Sequence, residues 1–213
     1  MERFIRRSIT VTLLLAIPAL LTGVGFAEHN NNAALKGMYE VFVFRTCVQA
    51  NGGVTFNPDF SLTDGGTFRS AVILKTAIYD GREGVTEEGT STTMFLPTDR
   101  DGRPVVSMSS FETSGTYEVA SDRSFTKTTE TSGTLSDGRF FRISPQTLTG
   151  QVAPGGRNFG SGNNVPNVVT LTFFAADDPE MIGPPLFTRD RVCITSAYGT
   201  KVKKIKERDI GPN

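Results

Sequence analysis

From residue 37 onward, apolar and polar positions alternate in short runs broken by Gly, Asn, Asp and Pro. "GMYEVFVFRTCV" (37–48) is β-branched and aromatic and ends at the turn-former "NGG". "TFRSAVILKTAIYDG" (67–81) places Phe68, Val72, Leu74 and Ile78 at even spacing and stops at "DG". Similar runs recur at 84–96, 104–111, 115–120, 123–131, 138–144, 146–152, 167–175 and 191–202. A period of two in β-branched and aromatic residues predicts strands, here about ten of them. No stretch of eleven residues keeps the i, i+3, i+4, i+7 apolar spacing with caps that a helix requires. "KVKKIKERDI" (201–210) alone suits a short basic helix, a solvated strand end or a frayed tail. Two stretches rich in breakers, 153–167 and 176–190, read as long irregular loops, either binding lips or plain connectors.

Many short strands with Gly/Pro-rich turns point to a sandwich or a barrel. The cysteines bear on that choice, and their meaning depends on the compartment. "MERFIRR" is a basic leader, an apolar core follows, and Gly25 and Ala27 stand at the −3 and −1 positions of a cleavage site. The core at 11–21 is shorter than the roughly 20 apolar residues of a spanning helix. The expectation is a bacterial-type export signal at 1–27 and a periplasmic or extracellular protein. In such a space the two cysteines, Cys47 and Cys193, tend to oxidise, with two lone thiols as the alternative. A bridge between them clasps the first strand to the last. That favours an all-β, antiparallel up-and-down β-barrel of about 8–10 strands, first and last strands adjacent. The competitor, an immunoglobulin-like sandwich, lacks its usual Trp, since the chain has none.

The expected organisation is a signal peptide at 1–27, a flexible lead-in at 28–36, a barrel domain at 37–202 and a basic tail at 203–213. Loss of the signal removes three arginines and one glutamate, leaving 19 basic and 21 acidic side chains. Nothing in that balance calls for nucleic acid or an anionic surface as partner. No second apolar run is long enough to span a membrane as a helix.

Candidate chemistry is narrow. The single histidine, His29, stands in a polar stretch beside the cleavage point, a poor place for a general base. Ser-His-Asp and Cys-His catalysis and zinc sites are therefore disfavoured, and no phosphate-cradling loop is present. The expectation is no metal and no cofactor. "DRDG" (99–102) and "DDPE" (177–180) are the densest acidic clusters, and turn formation accounts for both. The aromatic residues carry more weight. In "YEVFVFRTC" Phe42 and Phe44 share one face, with Tyr39, Val41 and Val43 on the other. Phe42, Phe44, Tyr117 and Phe173 are the expected lining of an interior cavity, against the alternative that such rings fill a dry core.

Three short stretches carry a resemblance: "LKGMY" (35–39), "YDGREG" (79–84) and "GTYEVASD" (115–122). In them the chain resembles secreted bacterial lipocalin-like, or calycin, β-barrel proteins, with allene oxide cyclase-like barrels as a looser analogue. The likeness runs from about residue 35 to 200 and is one of turns and strands. It implies a barrel that either binds a small molecule or shapes a reactive one. No catalytic residue of the cyclase-like barrels maps onto this sequence.

Three functions follow as expectations. The first is an exported binding module for a small, mainly apolar ligand. The second is a cofactor-independent isomerase or cyclase, with Tyr117 and Glu118 as the acid or base. The third is a structural or adhesive surface protein.

Overall fold

The computed structural model describes residues 31–50, 54, 56–62, 65–96 and 105–203 of the chain. The expected signal peptide, His29, the "DRDG" turn and the end of the basic tail from 204 onward lie outside the described residues. Eight antiparallel strands follow one another as a closed barrel. They are β1 (Gly37–Ala50), β2 (Gly66–Tyr79), β3 (Gly84–Leu96), β4 (Val105–Val119), β5 (Ser124–Leu135), β6 (Phe140–Val152), β7 (Asn158–Phe174) and β8 (Phe187–Lys203). Each strand pairs with its neighbour in sequence, and β1 pairs with β8 to close the ring. Closure leaves no sheet edge unpaired, which is how an all-strand chain avoids edge-to-edge association.

Ten predicted segments become eight strands for two local reasons. The runs at 104–111 and 115–120 are one strand, β4, because Gly115 sits inside it opposite Thr129 of β5. A Cβ at Gly115 would lie 2.1 Å from the Thr128 carbonyl oxygen, so the break read at this glycine is a close strand approach. The runs at 138–144 and 146–152 are likewise one strand, β6, with the exposed Pro145 between them. The β6–β7 ladder shifts register between Ile143 and Thr149, and such an irregularity accommodates a residue that has no N–H to donate. The predicted loop at 153–167 is corrected too: only its start turns, and from Asn158 the chain is already β7. The predicted loop at 176–190 ends earlier, at the start of β8.

The expected flexible lead-in is also corrected where it is described. Asn32–Leu35 forms a 3-10 turn, and Asn32 and Leu35 are both buried. The turn seats on one end of the barrel through Asn32, whose Oδ1 accepts the Val119 N–H at 2.7 Å and whose Nδ2 donates to the Arg82 carbonyl. Below this plug lies an aromatic cluster. Tyr79 meets Tyr117 edge to face at 4.9 Å and Tyr39 at 5.5 Å, and Phe159 packs on Tyr39 and Phe125. This end of the barrel is a closed aromatic core, consistent with edge-to-face ring packing in small barrels.

The turns that carry the resemblance serve this end. Asp80 Oδ1 accepts the backbone N–H groups of Arg82, Glu83 and Gly84 at 2.7, 3.0 and 3.0 Å, which folds the β2–β3 connection around Gly81 at φ +85°. Asp122 accepts from the backbone and hydroxyl of Ser124 in the β4–β5 turn. "YDG" and "ASD" are therefore turn chemistry.

Candidate functional site in the polar half of the barrel

Strand alternation sends every second side chain inward. Along β1 the side chains of Tyr39, Val41, Val43, Cys47 and Gln49 are buried on one parity, and Ala50 is buried beside them at the strand's end. The inner face changes character along its length. At the plugged end it is aromatic and aliphatic, and past the middle it becomes charged and hydroxylated.

The change begins with Glu87 of β3. Its Oε2 accepts from Lys75 Nζ of β2 at 2.6 Å and its Oε1 from Lys127 Nζ of β5 at 2.5 Å. All three side chains are at most one-tenth exposed. Burial alone would raise the Glu87 pKa, but the charges of Lys127 and Lys75 overcome it and hold the carboxyl down to about 2. Lys75 is pulled the other way, down to about 8, by burial and by repulsion from Lys127, with Glu87 opposing.

Beyond this trio stand three arginines around the inner side of the β8–β1–β2 wall. Arg69 is the register partner of Cys47, and Arg191 that of Gln49. Arg69 Nη1 and Arg191 Nε both donate to the Gln49 Oε1, at 2.6 and 3.0 Å. Arg45 Nε donates to the Thr195 hydroxyl at 3.1 Å. Among the described residues none of the three has a carboxylate within ion-pair distance. Arg69 is 8 % exposed and stacks at 4.0 Å on the Phe95 ring. Its Nε and the Gln49 Nε2 are buried with no hydrogen-bond partner. Burial first, then the charges of Arg189 and Arg45, hold the Arg69 guanidinium below its ordinary pKa.

The three arginines and the Glu87 trio border an interior cavity of about 100 Å³. Five of its side chains are cationic (Arg45, Arg69, Lys75, Lys127 and Arg191) and one is a carboxylate, Glu87. Hydroxyls of β3, β4 and β5, among them Ser91, Thr113 and Thr131, line one part of the wall, and Ile143, Leu148, Leu171 and Phe141 of β6 and β7 line another. A larger concavity of about 1090 Å³ is bordered mostly by outward-facing side chains such as Glu40, Glu88 and Glu112. It lies on the outer waist and encloses no site.

The expected lining residues scatter. Phe42 and Phe44 are corrected: both point outward, 49 % and 47 % exposed, because the inward parity of β1 belongs to Val41, Val43 and Arg45. Tyr117 points inward but into the closed end, where its hydroxyl accepts the Gly81 N–H at 3.0 Å and donates to the Asn32 carbonyl at 3.1 Å. Phe173 is buried inside the other half, against Phe187 at 4.5 Å, and does not border the cavity. Glu118 lies on the outer, exposed face next to Tyr117, so the two do not meet over one space. Burial also drives the Tyr117 pKa upward. The sequence reading missed Arg45, Arg69, Lys75, Glu87, Lys127 and Arg191. Their signal was parity, since each charge stands on a position that continues the buried set of its strand.

Outside the barrel, β8, β1 and β2 carry a contiguous apolar face. Phe42 pairs with Leu74 on one side and Tyr198 on the other, and Phe44 pairs with Val72. The outward positions of β5 and β6 are instead polar, for example Thr126, Thr128, Arg142 and Thr147. Among the described residues no helix is long and apolar enough to cross a membrane. Compared with known proteins, the chain matches no family model and no curated sequence.

Proposed function

We propose that the protein is a binding module that holds one small molecule in the polar half of its barrel. The observation that carries this reading is an interior cavity lined by Arg45, Arg69 and Arg191, where Arg69 keeps a buried Nε with no hydrogen-bond partner. Buried polar groups are normally paired, so an orphaned donor on a residue that lines a cavity argues for an occupant that pairs it. The cavity also limits the occupant. At about 100 Å³ it is smaller than the roughly 150 Å³ cavity that takes a benzene ring. The guest is a molecule of a few heavy atoms with an apolar side to meet Ile143 and Leu171. The disulfide supports an exported protein, since such bonds persist in oxidising compartments.

The isomerase reading draws no support from Tyr117 and Glu118, which serve the plug and the outer surface. A structural or adhesive role draws on one observation, the apolar outer face of β8, β1 and β2. Native mass spectrometry of the full chain purified from its own host tests the binding reading, with Leu171→Trp as a filled-cavity control. A small adduct present in the wild type and absent from the control is expected. Persistence of the adduct in the filled variant rejects the interior site. So does its absence from the wild type, if no small molecule shifts the thermal midpoint either.

A further inference from the structure

The cavity of the binding module proposed above has a marked charge imbalance, and this inference rests on that reading. A buried cation is normally paired, because desolvating an isolated charge is costly. Here Glu87 answers two of the five cavity cations, Lys75 and Lys127. Arg45, Arg69 and Arg191 are held in place by neutral oxygens, those of Gln49 and Thr195. Gln49 brings Arg69 and Arg191 together by accepting from both, although the two guanidiniums repel. The closure seam holds them there, since Cys47 and Cys193 lie on the same stretch of β1 and β8. The charge of Glu87 reaches Arg45, but among the described residues no carboxylate pairs with Arg69 or Arg191, and the repulsion between these guanidiniums is what an anion relieves.

We propose that Arg69 and Arg191, with Arg45 beside them, form an oxyanion subsite, and that the ligand is a short-chain carboxylic acid bound as its carboxylate. A guanidinium presents parallel N–H donors that match the two oxygens of a carboxylate. Arg69 Nε is the donor left buried and unpaired, next to the Nη1 already placed by Gln49. The cavity's apolar residues on β6 and β7, Ile143, Leu148 and Leu171, receive the hydrocarbon part. The volume restricts that part to a few carbons. The ligand class is therefore a small aliphatic acid.

The test is calorimetric titration of the full chain, in low-chloride buffer, with butyrate, its neutral isostere butyramide, and inorganic phosphate. Butyrate is expected to bind at least tenfold more tightly than butyramide. Arg69→Gln and Arg191→Gln are expected to lose tenfold or more in butyrate affinity while leaving butyramide unchanged. Arg69→Met supplies an independent readout: removal of an unanswered buried charge raises the thermal midpoint of the ligand-free protein and abolishes butyrate binding. Equal binding of butyrate and butyramide overturns the subsite and leaves the cavity reading standing. Phosphate binding without butyrate binding overturns the organic-acid assignment. No binding by any probe, with no shift in the methyl NMR signals of Ile143 and Leu171, overturns subsite and cavity together. A fall in the midpoint of Arg69→Met makes Arg69 a structural residue and also overturns the proposal.

Discussion

Cys47 and Cys193 stand directly opposite each other in the β1–β8 register, their Cα atoms 4.1 Å apart, and their disulfide crosses the seam at which the barrel closes. The bond links positions 146 residues apart, nearly the whole described barrel. Loop-closure entropy for such a span is about 5 kcal/mol in the chain-entropy model. Backbone pairing between β1 and β8 extends from Met38 to Gln49 on both sides of the bond, so the seam is held by a full ladder as well as by sulfur. The double variant Cys47→Ala/Cys193→Ala is expected to keep the β-barrel circular dichroism spectrum and lose several kcal/mol in urea titration. An unchanged urea midpoint would show that the unfolded chain is not restrained by this link.

Among the described residues Glu87 is the one acid in the cavity wall, and two lysines depend on it. Glu87→Gln keeps the shape but leaves Lys75 and Lys127 buried without their counter-charge. Breaking a buried pair by removing one partner costs about 3–5 kcal/mol. The acid limb of stability follows the same carboxyl. Its folded-state pKa of about 2 lies below its ordinary 4.5, so the native state binds fewer protons in that window. The stabilisation is complete above pH 4.5 and is lost as the pH falls toward 2. Chemical denaturation of wild type and Glu87→Gln at pH 7, 4 and 2.5 is expected to show the gap between them narrowing as the solution becomes acidic. A gap independent of pH would remove the ionised Glu87 from the account.

The closed barrel, the linkage of first and last strands and the near absence of helix were legible from period-two alternation and from two cysteines in terminal strands. The site was not. Sequence reading ranks faces by hydrophobicity, and on β1 the rings of Phe42 and Phe44 outweigh Val41, Val43 and Arg45. The barrel inverts that ranking because half its interior is polar while three of its strands are greasy outside. Parity anchored on Cys47 resolves the ambiguity: once Cys47 bonds across the seam from the inner face, Arg45, Val43 and Gln49 must share that face. Which charges then meet, as Glu87 meets Lys75 and Lys127, depends on strand stagger, and no spacing within one strand encodes it. Pro145 and Gly115 misled for a different reason. Both are punctuation in isolation, and both are tolerated inside long strands where a register shift or a close neighbour accommodates them.

The inverted face of β1 is checked by a pair of adjacent substitutions. Phe42 is half exposed and rests on Leu74 and Tyr198 of the outer surface, whereas Val43 is 2 % exposed and borders the cavity. Phe42→Ser is expected to cost less than about 1 kcal/mol, as exposed substitutions do. Val43→Ala, the smaller change, is expected to cost about 2 kcal/mol because it deletes buried methyl groups. Thermal denaturation of the two variants decides the order. The reverse order would put the rings of β1 inside after all.

The aromatic floor beneath the cavity depends on a glycine at an inward position. Gly199 of β8 faces Phe159 of β7, and a Cβ there would stand 2.3 Å from the ring. The ring has no free direction in which to retreat, since it packs edge to face on Tyr39, Tyr79 and Phe125. Gly199→Ala is therefore overpacking in a rigid cluster, expected to cost about 1–3 kcal/mol. Trimming the neighbour separates this cause from a backbone effect. Phe159→Leu alone opens space and destabilises, but in the double variant the new methyl fills part of that space. The double variant is expected to be more stable than the two single losses added together, by roughly 1 kcal/mol or more. Strict additivity in urea titrations would mean that Gly199 is required for its backbone and not for the ring that lies on it.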